Sequence, residues 1–305
     1  MMRRVCGIAG LFAKAPTFEQ ELGDRLAAML EQLADRGPDS TGVALYRDPV
    51  QLGSKLSLIA RGAIDWHSLV DRLSASFGAT RALADHGDHA ILAVPAPAAD
   101  VRAWLGEYEL DVAVLASGQA IELHKRTGPP TSLLDGCGIR GLAATHALGH
   151  TRMATESRVT TAGSHPFSTG EDLCLVHNGS LSNHNRVRRE LQRQGIAFAT
   201  ENDSEVAAGY LMWRLREGDT LAQALEAALD DLDGFFTFAI GTRDGFAVLR
   251  DPIACKPAVM AETDDWVAMA SEYRAIAALP GAEEARVWEP DPATVYSWSR
   301  DEVPV

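Results

Sequence analysis

The chain is 305 residues long and 46% apolar, enough to bury one large core or two modest ones. Its 42 acidic and 28 basic side chains give a formal net charge of -14. That balance argues against a nucleic-acid groove or an anionic membrane surface, since both need surplus Lys and Arg, and points to a small-molecule substrate or a protein partner. Cys6, Cys137, Cys174 and Cys255 lie far apart, with no C-x-x-C pair and no Cys/His cluster at metal-ligand spacing; reduced thiols in a cytoplasmic protein and no metal site are expected.

At the amino end, Met1 to Arg4 followed by the apolar run Val5 to Ala13 imitates a secretory signal, but the run is short and carries two glycines. The stretch from Cys6 to Phe12 instead predicts a buried strand. A helix over Phe18 to Leu33 follows, with Leu22, Leu26, Met29, Leu30 and Leu33 on one face. The turn Arg36-Gly37-Pro38-Asp39-Ser40 then leads into a strand over Gly42 to Tyr46. From about Val50 to Ala144 the chain reads as a compact insertion, with a helix near Ser68 to Phe77, strands at Ala90 to Val94 and Asp111 to Leu115, and turns marked by Pro95, Pro97, Gly128, Pro129 and Pro130. Beyond it, helices are predicted over Asn183 to Gln194, Ser204 to Arg216 and Leu221 to Leu232. Strands are predicted at Leu173 to Val176, Phe235 to Ile240, Phe246 to Leu249, Ala258 to Ala261 and Trp266 to Ala270, with Thr242 to Gly245 as a hairpin turn. Runs of strand with blocks of helix indicate layered α+β with mainly antiparallel sheets. No stretch is long enough to span a bilayer.

Cys6 is the residue on which the chemistry turns. As the first residue of a mature chain it would carry a thiol nucleophile and an α-amine together, and an amine with a pKa of about 8 suits a general base at neutral pH. Four polar motifs stand where strands end: Gly149-His150-Thr151-Arg152, Ser164-His165-Pro166-Phe167, His177-Asn178-Gly179 and Asp203-Ser204-Glu205-Val206. Singly, each has a plain structural reading: a surface ion-pair partner for Arg152, a hairpin turn for Asn178-Gly179, a helix cap for Asp203 or Ser204. Together they supply what attack on an amide carbonyl needs: oxyanion donors from Asn178 and the Gly179 N–H, a fork for a carboxylate from Arg152, and an anion from Asp203. Cys174 and Cys255 read as small core residues in apolar strands, Lys256 as a solvated loop charge, and His146, His150 and His177 as buried or capping side chains.

The ordered set, with Cys6-Gly7-Ile8 first, Arg36-Gly37-Pro38-Asp39 next and Asp203-Ser204-Glu205-Val206 last, resembles the class II glutamine amidotransferases of the N-terminal-nucleophile hydrolase fold. The resemblance covers about Cys6 to Tyr46 and Thr145 to the C-terminus. It implies a four-layer αββα sandwich of two mainly antiparallel sheets, with the 50–144 segment as a small α/β insertion. It also implies that Cys6 attacks the glutamine side-chain amide to form a γ-glutamyl thioester, with Asn178 and Gly179 as the oxyanion hole. Arg152, with Thr155 beside it, would clamp the glutamine α-carboxylate, and Asp203 would hold the α-amino group. Met153 and Glu156 depart from the aromatic residue and the histidine found at these places in other members of the family. With His165-Pro166-Phe167 and Arg250-Asp251-Pro252, they are most similar to stand-alone amidotransferase subunits of the glutamate-synthase-like group, N-methylglutamate synthase included.

Two further expectations follow from the resemblance. Residues 1–5 would have to be removed or left untranslated, because an amide-locked Cys6 nitrogen has no basicity. The chain carries no Gly-rich phosphate loop and no Rossmann fingerprint, so ammonia would pass to a partner synthase subunit in a hetero-oligomer. No cofactor is expected on this chain, and FMN is expected on the partner. The rival readings are a stand-alone amide hydrolase of the same fold and an inactive glutamine-binding regulatory subunit.

Overall fold

The structure, a computed structural model, describes residues 6–153 and 159–300. The chain opens with β1 (Gly7–Ala13), α1 (Pro16–Gln32) and β2 (Ser40–Tyr46). It continues through β3 (Ser54–Ala60), α2 (Trp66–Phe77), β4 (Arg81–Asp85), β5 (His89–Val94), α3 (Ala98–Tyr108) and β6 (Val112–Gly118), and then β7 (Ile121–Thr127), α4 (Pro130–Gly136) and β8 (His146–Arg152). The second half holds β9 (Cys174–Leu181), α5 (His184–Arg193), α6 (Asp203–Arg216), α7 (Leu221–Asp231), β10 (Gly234–Gly241) and β11 (Gly245–Arg250). It ends with β12 (Val259–Glu262), β13 (Trp266–Ala270), α8 (Tyr273–Ile276), β14 (Arg286–Trp288) and β15 (Val295–Ser299).

The central strand β1 explains the layering. Ala9, Leu11 and Ala13 face one side and Ile8 and Phe12 the other, and all are buried. A strand apolar on both faces needs cover on both. On the first side α1 supplies Leu22, Leu26, Met29 and Leu30, joined by Leu133 and Leu134 of α4 and Ile276 of α8. On the second side Ile8, Phe12, Tyr46 and Leu148 pack against Cys174, Val176, Phe246 and Val248 of a second sheet. The outer face of that sheet, with Leu175, Phe236, Phe238 and Leu249, is covered by Val187, Leu191, Val206, Leu211 and Leu225 from α5, α6 and α7. The result is the expected helix, sheet, sheet, helix order.

The larger sheet runs β14-β12-β13-β1-β8-β2-β7 and the smaller β15-β11-β10-β9. A third sheet, β4-β5-β3-β6, packs on α2 and α3 around its own core of Leu56, Leu58, Trp66, Leu92 and Val101. All registered pairings within the three sheets are antiparallel. The segment expected as an insertion over 50–144 is therefore divided. Residues 54–118 form the third sheet and its helices, whereas β7 pairs with β2 along the larger sheet and α4 joins the α1 layer.

Candidate active site

Cys6 stands one residue before β1, where Gly7 pairs with Thr151 of β8. Its thiol points at the carbonyl oxygen of Met153, with Sγ 3.7 Å away. The Arg36-Gly37-Pro38-Asp39 turn straps this corner together. Arg36 Nε donates to the Cys6 carbonyl (3.2 Å) while its Nη1 pairs with Glu272, and the Asp39 N–H donates to the Arg152 carbonyl (3.1 Å). Gly37 lies so close to β8 that a Cβ there would stand 2.4 Å from the Thr151 carbonyl. The motif was legible in the sequence, but the part Arg36 plays in holding Cys6 was not.

Asn178 and Gly179 lie inside β9, not in a turn. The predicted strand ended at Val176, yet pairing continues to Leu181, with Asn178 opposite Thr237 and Gly179 opposite Phe236 of β10. Asn178 Nδ2 donates to the Cys6 carbonyl at 3.3 Å, which brings the side-chain amide beside Cys6. Gly179 has φ +153°. A Cβ at that position would meet the Phe235 carbonyl at 2.0 Å and His177 Nε2 at 2.7 Å, so the residue must be glycine for β10 to lie this close.

Asp203 is the first residue of α6, but the cap is Asn202, whose Oδ1 accepts from the Ser204 N–H at 2.9 Å. Asp203 is thus released from capping. Its Oδ2 accepts from the Leu181 N–H (2.9 Å), which ties it to the end of β9, and its Oδ1 lies 3.3 Å from Ser204 Oγ. Ser204 Oγ also lies 2.8 Å from both His165 Nε2 and His177 Nδ1. One arrangement satisfies all three contacts: both imidazoles donate to the hydroxyl, and the hydroxyl donates to the carboxylate. His150 stacks on His165 at 4.1 Å, which extends this cluster towards β8.

Burial lowers the pKa of each of these histidines, His150 to about 3, His177 to about 4 and His165 well below its ordinary value. At neutral pH they are uncharged, and the 3.9 Å approach of His177 Nδ1 to Asp203 is a contact within the hydroxyl relay, not an ion pair. Bases this weak are poor proton acceptors for a thiol. Burial also pushes the Cys6 thiol up, against the opposing charges of Arg152 and Lys256. The resting sulfur is therefore protonated and needs a base other than these rings.

Arg152, at the end of β8, is buried and acts electrostatically on Cys6, His150 and His165. The structure thus gathers Cys6, Asn178, Gly179, Arg152 and Asp203 where β1, β8, β9 and α6 meet. Thr155 and Glu156 lie outside the described residues, as do residues 1–5. Two expectations are corrected. Cys255 is exposed in the loop after β11 and is not a core residue, although Cys174 is buried. Lys256 is not a fully solvated charge, for it is half-buried with its Nζ 5.0 Å from the centre of the Phe235 ring. A cavity of about 1070 Å³ lies elsewhere, between the third sheet and α1, and none of the site residues lines it.

Comparison with known proteins gives the same reading. A family model described as a glutamine amidotransferase domain matches residues 150–278. The chain is 53% identical over 296 residues to the glutamine amidotransferase-like protein GlxB of Rhizobium meliloti, covering 96% of this chain and 98% of that protein. It is 30% identical over 305 residues to a putative glutamine amidotransferase of Methanothermobacter thermautotrophicus, covering 96% and 99%. Among solved structures, the B. subtilis glutamine phosphoribosylpyrophosphate amidotransferase shares the fold, with a TM-score of 0.63 at 19% identity over 97% of this chain and 48% of that one. With its sandwich of antiparallel sheets, its corner of motifs around Cys6 and relatives matched along nearly their whole length, the chain belongs to the class II glutamine amidotransferases.

Proposed function

We propose that this protein is a glutaminase subunit that splits the side-chain amide of L-glutamine through a Cys6 thioester and hands the ammonia to a synthase subunit. The freed α-amine of Cys6 takes the thiol proton as sulfur attacks the amide carbon. The carbonyl electron pair moves onto oxygen, where the Asn178 amide and the Gly179 N–H stabilise it. Collapse of this intermediate breaks the C–N bond, and ammonia leaves with the proton returned by the amine. Water then hydrolyses the thioester to glutamate. Arg152, with Thr155, holds the substrate carboxylate, and Asp203 holds its amino group.

The observation that supports this reading is the 3.3 Å contact of Asn178 Nδ2 with the Cys6 carbonyl, which holds a side-chain amide donor beside Cys6. The neutral state of the neighbouring histidines supports the amine as base. The acceptor subunit is of the glutamate-synthase type, possessing FMN, in a cytoplasmic hetero-oligomer; N-methylglutamate synthase is the nearest functional type by motif. Among the described residues, no helix is long and apolar enough to cross a membrane.

The test is glutamine hydrolysis by the purified protein alone and with its co-purifying subunits, together with the intact mass of the active chain. Activity that rises on adding those subunits, disappears in Cys6→Ala and belongs to a chain beginning at Cys6 is the expected result. Full activity in a chain that retains Val5 rules out the amine as base.

A further inference from the structure

Lys256 lies in the loop between β11 and β12, and two buried side chains at the start of that loop hold it in place. Arg250 Nη2 donates to the carbonyls of Ala254 and Lys256, the latter at 3.0 Å, and Nη1 donates to the Pro290 carbonyl at 3.0 Å. Asp251, fully buried, accepts from the Phe236 N–H at 3.1 Å and from the Ile253 N–H at 2.9 Å, while its own N–H donates to the Phe236 carbonyl. Phe236 is the residue paired with Gly179. The loop is therefore clamped to the strand that backs the Asn178-Gly179 segment.

The end of the Lys256 side chain follows the same direction. Its Nζ lies 5.0 Å from the centre of the Phe235 ring, a cation–π contact, and the Phe235 carbonyl fills the space a Cβ on Gly179 would need. Lys256 is half-buried, and its charge acts on the Cys6 thiol and on His177. A lysine serving only solubility needs neither a buried arginine on its carbonyl nor an aromatic seat beside a glycine that admits no side chain.

We propose that Lys256 is a positioning residue of the Cys6 site, a fixed cation seated on Phe235 that favours negative charge on the Cys6 sulfur and on the oxyanion formed from it. Lys256 works through these groups and does not itself transfer a proton. Among the described residues, the other charged or titratable groups near Cys6 are Arg152 from β8, Arg36 with its partner Glu272 from the corner strap, and, across β9, His177 with Asp203. Arg152 is buried at the end of β8, whereas Lys256 comes from the Phe235 side, so the two cations are held by different elements.

This inference rests on Cys6 being the nucleophile, but its test needs no turnover. Alkylation of Cys6 by iodoacetamide is followed from pH 6 to 10, resolved by peptide mass spectrometry because Cys255 is also exposed. Lys256→Gln is expected to move the Cys6 profile up by about half to one pH unit, so that the rate at pH 7 falls roughly 3- to 10-fold. Lys256→Arg should restore the original profile. In glutamine hydrolysis Lys256→Gln should lower kcat by a similar factor and leave KM within about twofold. An unmoved alkylation profile in Lys256→Gln, or a shift that Lys256→Arg fails to restore, overturns the proposal. If glutamine hydrolysis survives Cys6→Ala while the alkylation profile still moves, the nucleophile assignment fails and the electrostatic role of Lys256 stands.

Discussion

Gly179 holds φ +153° in the middle of a regular strand, and the Phe235 carbonyl occupies the place of its missing side chain. Gly179→Ala has to push β10 from β9, so glutamine hydrolysis should be lost and stability should fall by on the order of 2 kcal/mol or more. Thermal unfolding measured beside turnover checks both, and wild-type kcat in the alanine variant contradicts the need for close approach. Asp203→Asn keeps the shape and the Leu181 contact but removes the charge. The glutamine KM should then rise about tenfold or more with a smaller change in kcat; steady-state kinetics with an unaltered KM would exclude Asp203 as the amine anchor. The buried imidazoles have a second consequence. The unfolded chain takes up a proton on His150 near pH 6.5, whereas the folded chain does so only near pH 3. Stability is therefore complete above about pH 6.5 and declines as the pH falls towards 4, by on the order of 2 to 3 kcal/mol for His150. Urea midpoints between pH 7.5 and 4 measure the slope, which His150→Gln should flatten.

At the scale of elements, the N-terminus of α6 is the part that fixes Asp203. Asn202 caps it, Asp203 and Glu205 in the first turn suit the positive end of the helix, and Glu205 accepts from the Ala199 N–H (2.8 Å) and the Thr200 N–H (2.7 Å). Asn202→Ala should cost about 1 kcal/mol of stability and raise the glutamine KM severalfold, since Asp203 takes its direction from this turn; urea unfolding and kinetics on the same preparation test the link, and a KM unchanged after loss of the cap breaks it. The sequence revealed α6 through its polar start and apolar middle. It could not assign the cap to Asn202 over Asp203 or Ser204, because all three residue types cap well and the choice depends on Leu181 claiming one Asp203 oxygen from another element. For β9 the apolar run marked only the first half. The second half, Asn178 to Leu181, is strand because β10 pairs with it, and backbone pairing leaves no trace in side-chain polarity.

For the molecule as a whole, the join between the third sheet and the main body combines apolar packing, with Leu115 and Ala116 against Tyr46 and Ile121, and a buried ion pair. Lys55 of β3 and Glu122 of β7 pair at 2.9 Å with both side chains almost fully buried, and Arg47 adds a second contact to Glu122 at 3.0 Å. Glu122→Gln leaves the Lys55 ammonium with the Asp48 and Ala120 carbonyls but without its counter-charge, and should destabilise the protein by roughly 3 kcal/mol, more than the double variant Lys55→Met with Glu122→Met. Chemical unfolding of the two variants decides, and a double variant less stable than the single contradicts the reasoning. The same join shows why the 50–144 boundary could not be read from the chain. In Ile121-Glu122-Leu123-His124-Lys125-Arg126-Thr127 the polar residues Glu122, His124 and Lys125 are buried, which a lone sequence presents as a solvated face. Only cover from other elements, such as the Phe167 ring 4.6 Å from Lys125 Nζ, makes that burial possible. What the sequence determined by itself was local and periodic: the apolar strand at Cys6, the leucine face of α1, the helices after Asn183, and the order of motifs that marks the family. What the tertiary structure decided was which distant groups share a field, with Arg36 on the Cys6 carbonyl, Ser204 between two histidines, and Lys256 on Phe235. Those relations come from the packing of strands and helices across long separations in the chain, and a linear pattern of polarity does not encode them.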